Sequence, residues 1–375
     1  METADVVVIG AGIAGLSAAA ALSTDVSVVV VEMERAPAHH TTGRSAALFL
    51  PTYGPPTIRR VTAASEEFFR TAGHGRSETP LVSPRGLVYV ADESSREQLD
   101  AMTRELGEAG GEFELVDTAA CRVRCPALRD DWVVAGAVDH GALDIDVAAT
   151  VSVFRGQLID RGGRLRVDHR ATELERHGAG WVVHTSGGPI STSIVVNASG
   201  AWADRVAGMA GVAPLGFEPK RRTMGVSPFA DGVDPGDHFV AAADMGFYFR
   251  AEHGTVMFSP ADETLSEPTD ARPEEIDIAI AIDRINEATE LELRSVRQSW
   301  AGLRTFSPDG DLVLGPDPDV PTFVWCAGQG GYGIQTSPAA GAATAALALG
   351  RPLPDHLADV GLVPAALTAD RLSVG

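Results

Sequence analysis

Cysteine, cationic side chains and long apolar runs are all scarce in this sequence, and each shortage closes off a class of function. Only Cys121, Cys125 and Cys326 occur in 375 residues, with no Cys-x-x-Cys and no histidine at zinc-like spacing. No metal site is expected, because His39 and His40 are adjacent in a polar stretch that reads as solvated. Lysine and arginine total 30 against 51 aspartate and glutamate, for a formal net charge of −21. That balance speaks against nucleic acid or an anionic membrane as a partner and suits solubility. No run of about 20 unbroken apolar residues offers a membrane span. Val6 to Leu22 is interrupted by glycines and has no basic leader, so no signal peptide is expected either. The expectation is a cytoplasmic chain without structural disulfides.

The first thirty or so residues carry the strongest positive signal. Val6 to Ile9 is a β-branched apolar run that reads as a buried parallel strand. Gly10, Gly12 and Gly15 follow as Gly-x-Gly-x-x-Gly, and Ala14 to Leu22 reads as a helix. A second strand, Val26 to Val31, ends in Glu32, 17 residues past Gly15. In a dinucleotide-binding turn Gly10 makes the tight bend, Gly12 lets the backbone meet a pyrophosphate, and Gly15 lets helix and strand pack closely. Ile13 and Ala14 open a helix whose free N–H groups face the phosphates. Glu32, with Met33 beside it, suits a ribose 2′-hydroxyl and repels a 2′-phosphate.

Further along, Ile58 to Thr71, Ser94 to Glu108, residues 142–163 and Pro273 to Leu293 have helical spacing. Asp144 or Asp146 can cap the third of these. Strands are expected at 87–92, 172–175 and 181–185, within 193–203, in alternating segments at 246–250 and 255–259, and at 322–328. This order implies an α/β fold in which a Rossmann-like dinucleotide domain is interleaved with a smaller α+β antiparallel-sheet substrate domain. The first is expected from residues 1–80, 143–217 and 302–375, the second from 81–142 and 218–301.

Two more stretches favour FAD over NAD. Asn197-Ala198-Ser199-Gly200-Ala201-Trp202-Ala203 looks like the second dinucleotide signature of FAD proteins, which sets Ala198, Gly200 and Trp202 at the cofactor. Gly328-Gln329-Gly330-Gly331-Tyr332-Gly333-Ile334 opens onto a helix whose positive end can stabilise charge developing on a flavin. Together with residues 41–47, 219–222, 300–304, 309–313 and 329–337, these make the chain resemble the FAD-dependent D-amino acid oxidase and dehydrogenase family over essentially its whole length. The likeness is greatest to bacterial D-arginine dehydrogenase-like members. It implies non-covalent FAD, because Thr305-Phe306-Ser307-Pro308 stands where some relatives carry a flavin-linking cysteine. It also implies that Thr42, Arg44, Ser45, Ala46 and Ala47 wrap the cofactor, with Arg44 offsetting phosphate charge. Gly330, Gly331, Tyr332, Gly333, Ile334 and Gln335 then form the flavin turn, chiefly through their backbone.

Oxidising an α-amino acid requires the carboxylate to be held so that one enantiomer presents its Cα–H, and a guanidinium fork is the best grip. The resemblance puts that grip at Arg222 and Arg304. It puts active-site tyrosines at Tyr53, in a proline-rich loop suited to a lid, and at Tyr248. No dedicated general base is evident, and hydride transfer from Cα to flavin N5 in a neutral amine needs none. D-arginine-specific relatives carry an acidic residue shortly after Ser-Pro-Arg and a histidine after Gly-Arg-Ser-Ala-Ala; here Leu87 and Leu48 stand there. A cationic side chain stranded against them loses its water at a cost on the order of several kcal/mol, whereas each buried methylene adds about 0.8 kcal/mol. The expected activity is oxidative deamination of D-amino acids with apolar side chains to imino acids, with oxygen or a quinone-like compound as electron acceptor. Oxidation of secondary amines such as sarcosine or proline-like compounds, or of a 2-hydroxy acid, is the alternative.

Overall fold

Val6, Val7 and Val8 have no exposed surface, the environment a β-branched run needs at the centre of a parallel sheet. They belong to a strand, Glu2–Ile9, in a computed structural model that describes residues 1–373 except 109 and 112. Its parallel neighbours are Val28–Val31 (Val6 opposite Val28) and Ile190–Asn197 (Val6 opposite Ile194). The second half of Ile190–Asn197 pairs in parallel with Phe323–Ala327, and its first half pairs antiparallel with Gly180–Thr185. Four separated segments read as parallel strands therefore lie side by side.

Two helices cover this sheet where its strands end in glycine turns, Ile13–Leu22 and Gly333–Ala348. They pack against each other so closely that a Cβ on Gly341 would stand 2.6 Å from the Ser17 carbonyl carbon. Small side chains make that approach possible, and Ala18, Ala19, Ala339, Ala340 and Ala343 fill the contact.

A second, nine-stranded sheet stands beside the first. Its longest pair is Glu218–Ser227 against Gln298–Phe306, antiparallel from Glu218 opposite Phe306 to Val226 opposite Gln298. From Glu218–Ser227 the sheet runs through Thr255–Ser259, Tyr248–Glu252 and Phe239–Ala242 to Leu87–Ala91, which lies parallel to Phe239–Ala242 and antiparallel to Ala135–Asp139. Alternation puts Leu87, Tyr89 and Ala91 on one face and Val88 and Val90 on the other. Helix Glu275–Ala288 covers the second face with Ala281, Ile285 and Ala288; it is shorter than the expected Pro273 to Leu293.

The helix expected over 142–163 divides in two. Leu143–Ile145 is a strand of a small third sheet, with Leu48–Phe49 and Val82–Pro84, and the helix proper is Val147–Asp160. Asp146 is its cap, accepting from Ala149 N at 2.8 Å. Asp144 instead takes Arg85 Nε and Arg250 Nη1, both at 2.6 Å. All three cysteines are buried as free thiols.

Candidate active site

Gly10 has φ +103°, and a Cβ there would lie 2.5 Å from the Ala198 carbonyl oxygen, so only glycine makes this bend. A Cβ on Gly15 would be 1.9 Å from the Gly10 oxygen, which fixes Gly15 as the residue that lets helix and strand touch. The Ile13–Leu22 helix then starts at Gly12 with no side-chain cap and no acidic residue in its first turn. Ile13 N donates to Thr42 Oγ1 at 3.0 Å, while Glu32, buried, accepts from Ala11 N at 2.7 Å and from Glu34 N at 3.0 Å.

These groups border a long trough. One cavity is lined by Val31, Glu32, Met33, His39, His40, Ser199 and Trp202. It meets a second across Gly12, Thr41, Thr42, Ala198 and Gly200. The second passes Ile13, Ala14, Ser45 and Ala46 and ends against Arg222, Tyr248, Arg304, Gly330, Gly331, Gly333 and Ile334. Here the Gly333–Ala348 helix begins, again without a side-chain cap or an acidic first turn. Two helix starts without a cap from their own N-cap residue, the first with Ile13 N held by Thr42, and a buried acid with no cationic partner among the described residues make a dinucleotide-shaped set of donors and acceptors.

A third cavity opens off the end of the trough through Ser45, Ala46, Gly331 and Ile334. Arg222 and Arg304 stand at its inner end, on adjacent strands with Lys220 opposite Arg304 and Arg222 opposite Gly302. They are thus diagonal neighbours on one face. Arg304 has no carboxylate within ion-pair distance among the described residues. Burial works against its charge, but Tyr53 and Tyr248 outweigh that and hold the guanidinium above its usual range. Tyr248 is buried; burial pushes its phenol up, and the positive charges of Arg304 and Arg222 more than reverse this. Its hydroxyl donates to Met224 Sδ at 3.3 Å. Tyr53, in the turn after Leu50, packs edge-on to Tyr332 at 5.0 Å between ring centres. Away from the arginines the wall is apolar: Leu48, Leu50, Leu87, Phe239, Ala241 and Met245, with Ala47 and Tyr89.

Several expected roles change. Arg222 is not a free half of a fork: Nε donates to the Asp262 carbonyl at 2.8 Å and Nη2 to Glu263 Oε1 at 2.9 Å, which leaves Nη1. Arg44 does not hold its charge ready for a phosphate. It donates to the carbonyls of Ala271 at 3.1 Å and Ala301 at 2.8 Å and to Asp270 at 2.5 Å, so a carboxylate 226 residues away already neutralises it. Gln335 contributes a side chain rather than backbone: Oε1 accepts from Leu50 N and Nε2 donates to Thr62 Oγ1, both at 3.0 Å. Tyr332 lines none of the three cavities and packs behind Tyr53 and against Phe306.

Sequence reasoning missed Tyr89, Met224, Phe239, Ala241 and Met245. Tyr89 was recoverable, since strand alternation puts it on the face of Leu87; the others come from distant segments with no local signal.

Taken together, a parallel sheet with a glycine-turn trough and a second sheet roofing its end define the class of dinucleotide-dependent oxidoreductases. More narrowly, the chain belongs to the DAO family of FAD-dependent oxidoreductases, whose pattern matches residues 5–347. It is similar to FAD-dependent oxidoreductase domain-containing protein 1 of Bos taurus, 25% identical over 93% of this chain and 82% of that one. A more distant likeness, 24% identical over 54% of this chain and 52% of its relative, is to L-2-hydroxyglutarate dehydrogenase of Indibacter alkaliphilus. Among solved structures it shares its fold with glycine oxidase from Geobacillus kaustophilus (TM-score 0.82, 19% identity, 94% and 96% of the two chains). It also shares it with L-amino acid deaminase from Proteus vulgaris (TM-score 0.79, 22% identity, 99% and 94%). The cofactor is FAD, and the residues lining the trough suit it: Glu32 would meet a ribose, the Gly12 helix start would face phosphates, and the Gly333 helix start lies at the far end. No helix among the described residues is long and apolar enough to cross a membrane.

Proposed function

We propose that the chain oxidises D-amino acids with apolar side chains to imino acids, holding FAD without a covalent bond. The observation that carries this reading is Arg304: a guanidinium with no carboxylate at ion-pair distance among the described residues, flanked by Tyr53 and Tyr248, where the trough meets an apolar cavity. An unpaired cation beside two phenols is a receptor for a carboxylate, and Arg222 Nη1 can add a further donor. FAD, when bound, supplies the acceptor for the Cα hydride. The residues orient: Arg304 holds the carboxylate, Leu48 and Leu87 line the cavity where the side chain goes, and Tyr53 shields the reacting carbon from water. The amine loses its proton to solvent, in keeping with the lack of a carboxylate or histidine lining this cavity. The D configuration rests on the family resemblance of residues 41–47, 219–222, 300–304, 309–313 and 329–337.

The test is anaerobic bleaching of the protein-bound flavin by D-leucine, L-leucine, D-arginine, sarcosine and 2-hydroxyisocaproate in separate samples. Fast bleaching by D-leucine alone is expected. Faster bleaching by D-arginine would overturn the roles given to Leu48 and Leu87. Bleaching by sarcosine or the hydroxy acid alone would replace the amino-acid reading. Yellow colour released by acid denaturation and filtration checks the non-covalent attachment, and admitting oxygen or a quinone to the bleached protein identifies the acceptor.

A further inference from the structure

Tyr89 lies on the wall of the third cavity beside Leu87, and apart from Ser45 at the opening and the Gln335 side chain it is the one lining residue away from the arginines and their two tyrosines with a polar side-chain atom. Only 6% of its surface is exposed. Gln335 is bonded at both ends of its amide, to Leu50 and Thr62, whereas the Tyr89 hydroxyl has no hydrogen-bond partner among the described residues. The ring is held against Phe113 at 6.4 Å between centres, in a strand paired on both sides, which keeps the side chain at the cavity wall. Burial, with Tyr53 and Asp139 nearby, keeps the phenol protonated throughout the physiological range, so it offers an O–H donor. With no protein acceptor among the described residues and its oxygen open to the cavity, the hydroxyl is served there by water, and a ligand that brings an acceptor takes that water's place.

The surroundings restrict which acceptor. Asp139 stands opposite Leu87 on the same face, 3% exposed, accepting from Thr52 Oγ1 at 3.0 Å and Gly141 N at 2.8 Å. Its charge disfavours an anionic side chain at this end of the cavity. A cationic one would leave its water against Leu48, Leu87 and Phe239.

We infer that Tyr89 is a specificity-determining residue that, within this mostly apolar pocket, lets a side chain ending in a neutral hydrogen-bond acceptor, a carboxamide or hydroxyl, bind more tightly than its shape and polarity alone allow. This rests on the reading of the cavity as the side-chain pocket of a carboxylate-bearing substrate.

The experiment is equilibrium titration of the FAD-loaded protein, followed by its flavin absorbance, with shape-matched acids that lack the amine and cannot be oxidised as amines. Succinamate and isocaproate form one pair, and glutaramate with its branched hydrocarbon counterpart a longer one. In the natural protein the amide of at least one pair should bind more tightly than shape alone allows. Tyr89→Phe should lower the amide-to-hydrocarbon affinity ratio of that pair by about three- to tenfold, leaving hydrocarbon affinity and flavin content unchanged. Equal ratios in the two proteins for both pairs would overturn the inference. So would failure of all four acids to bind, which would also remove the carboxylate reading of Arg304. If the acids bind with the expected ratios while no amine bleaches the flavin, the oxidation proposal fails and the role of Tyr89 stands.

Discussion

Arg304 and Arg222 are diagonal neighbours on one antiparallel pair, but among the described residues a carboxylate, that of Glu263, pairs with Arg222 and none with Arg304. The asymmetry separates their expected contributions. Arg304→Met removes the unpaired guanidinium and should raise KM for a carboxylate substrate by about 100-fold or more, since charge-assisted bonds contribute roughly 1.5–3 kcal/mol each. Arg304→Lys should recover little, because an ammonium cannot match a carboxylate in a planar fork. Steady-state kinetics at constant flavin content decides this; a normal KM in the Met variant would remove Arg304 from the site.

Arg222 is tied into the sheet, and its partner Glu263 is half exposed. Glu263→Gln should therefore change stability by less than about 1 kcal/mol and leave KM within a few fold. Arg222→Met should lower Tm and raise KM together, because it strips the Asp262 carbonyl as well as the cavity wall. Thermal melts and kinetics on the two variants distinguish a structural arginine from one that also binds.

A methyl group on Gly331 would stand 2.9 Å from Arg304 Nη1 and 3.4 Å from the Tyr53 hydroxyl. Gly331→Ala should push the guanidinium aside and raise KM about tenfold, by roughly 1.4 kcal/mol of misplacement. Gly15→Ala is different in kind. Its Cβ meets backbone 1.9 Å away, so loss of FAD binding and of more than about 3 kcal/mol of stability is expected, seen as a colourless, low-melting protein.

His40 packs against Trp202 at 4.9 Å, with Glu34 at 3.1 Å from its Nε2. Burial lowers its pKa, and the pull of Glu34 does not restore it. The neutral ring is thus the form the fold prefers. Its contribution is full above the unfolded value near 6.5 and is lost as pH falls through the lower folded value. Tm should drop between about pH 7 and 5, and His40→Gln should flatten that part of the profile. An unchanged profile would show that another group sets the acid limit.

Cys326 lines the cofactor cavity, but burial pushes its thiol up to about 11. Burial also raises Cys121 to about 11 and Cys125 to about 12. The folded protein should consume no thiol reagent at about pH 8 on a timescale on which denatured protein reacts fully. Rapid reaction of one thiol would show a cavity more open than this one.

The local patterns that read correctly were those in which each residue answers to its sequence neighbours. The glycine turn with its φ of +103° at Gly10 is one; Leu87, placed in the pocket by the family resemblance and not by alternation, lines the cavity. What escaped was charge pairing over distance. Glu263 lies 41 residues from Arg222 and Asp270 lies 226 from Arg44, and neither pair leaves a periodicity to detect. Gln335 failed for a related reason, since a buried amide bridging Leu50 and Thr62 looks in sequence like any polar residue in a helical first turn.

Leu50 N hangs on Gln335 and Thr52 on Asp139, so one short loop is moored to the helix that faces the cofactor and to a strand of the other sheet. Tyr53 follows directly on the second mooring, its N–H donating to the Leu50 carbonyl at 3.1 Å. A hinge in the loop alone cannot carry the ring away from Arg304 while both hold; the ring moves when the two layers slide apart or when a mooring is broken. Traffic in and out of the cavity is geared to the breathing of the whole molecule, and solution conditions that stiffen the interface between the sheets will slow it even where every residue touching the substrate is left alone.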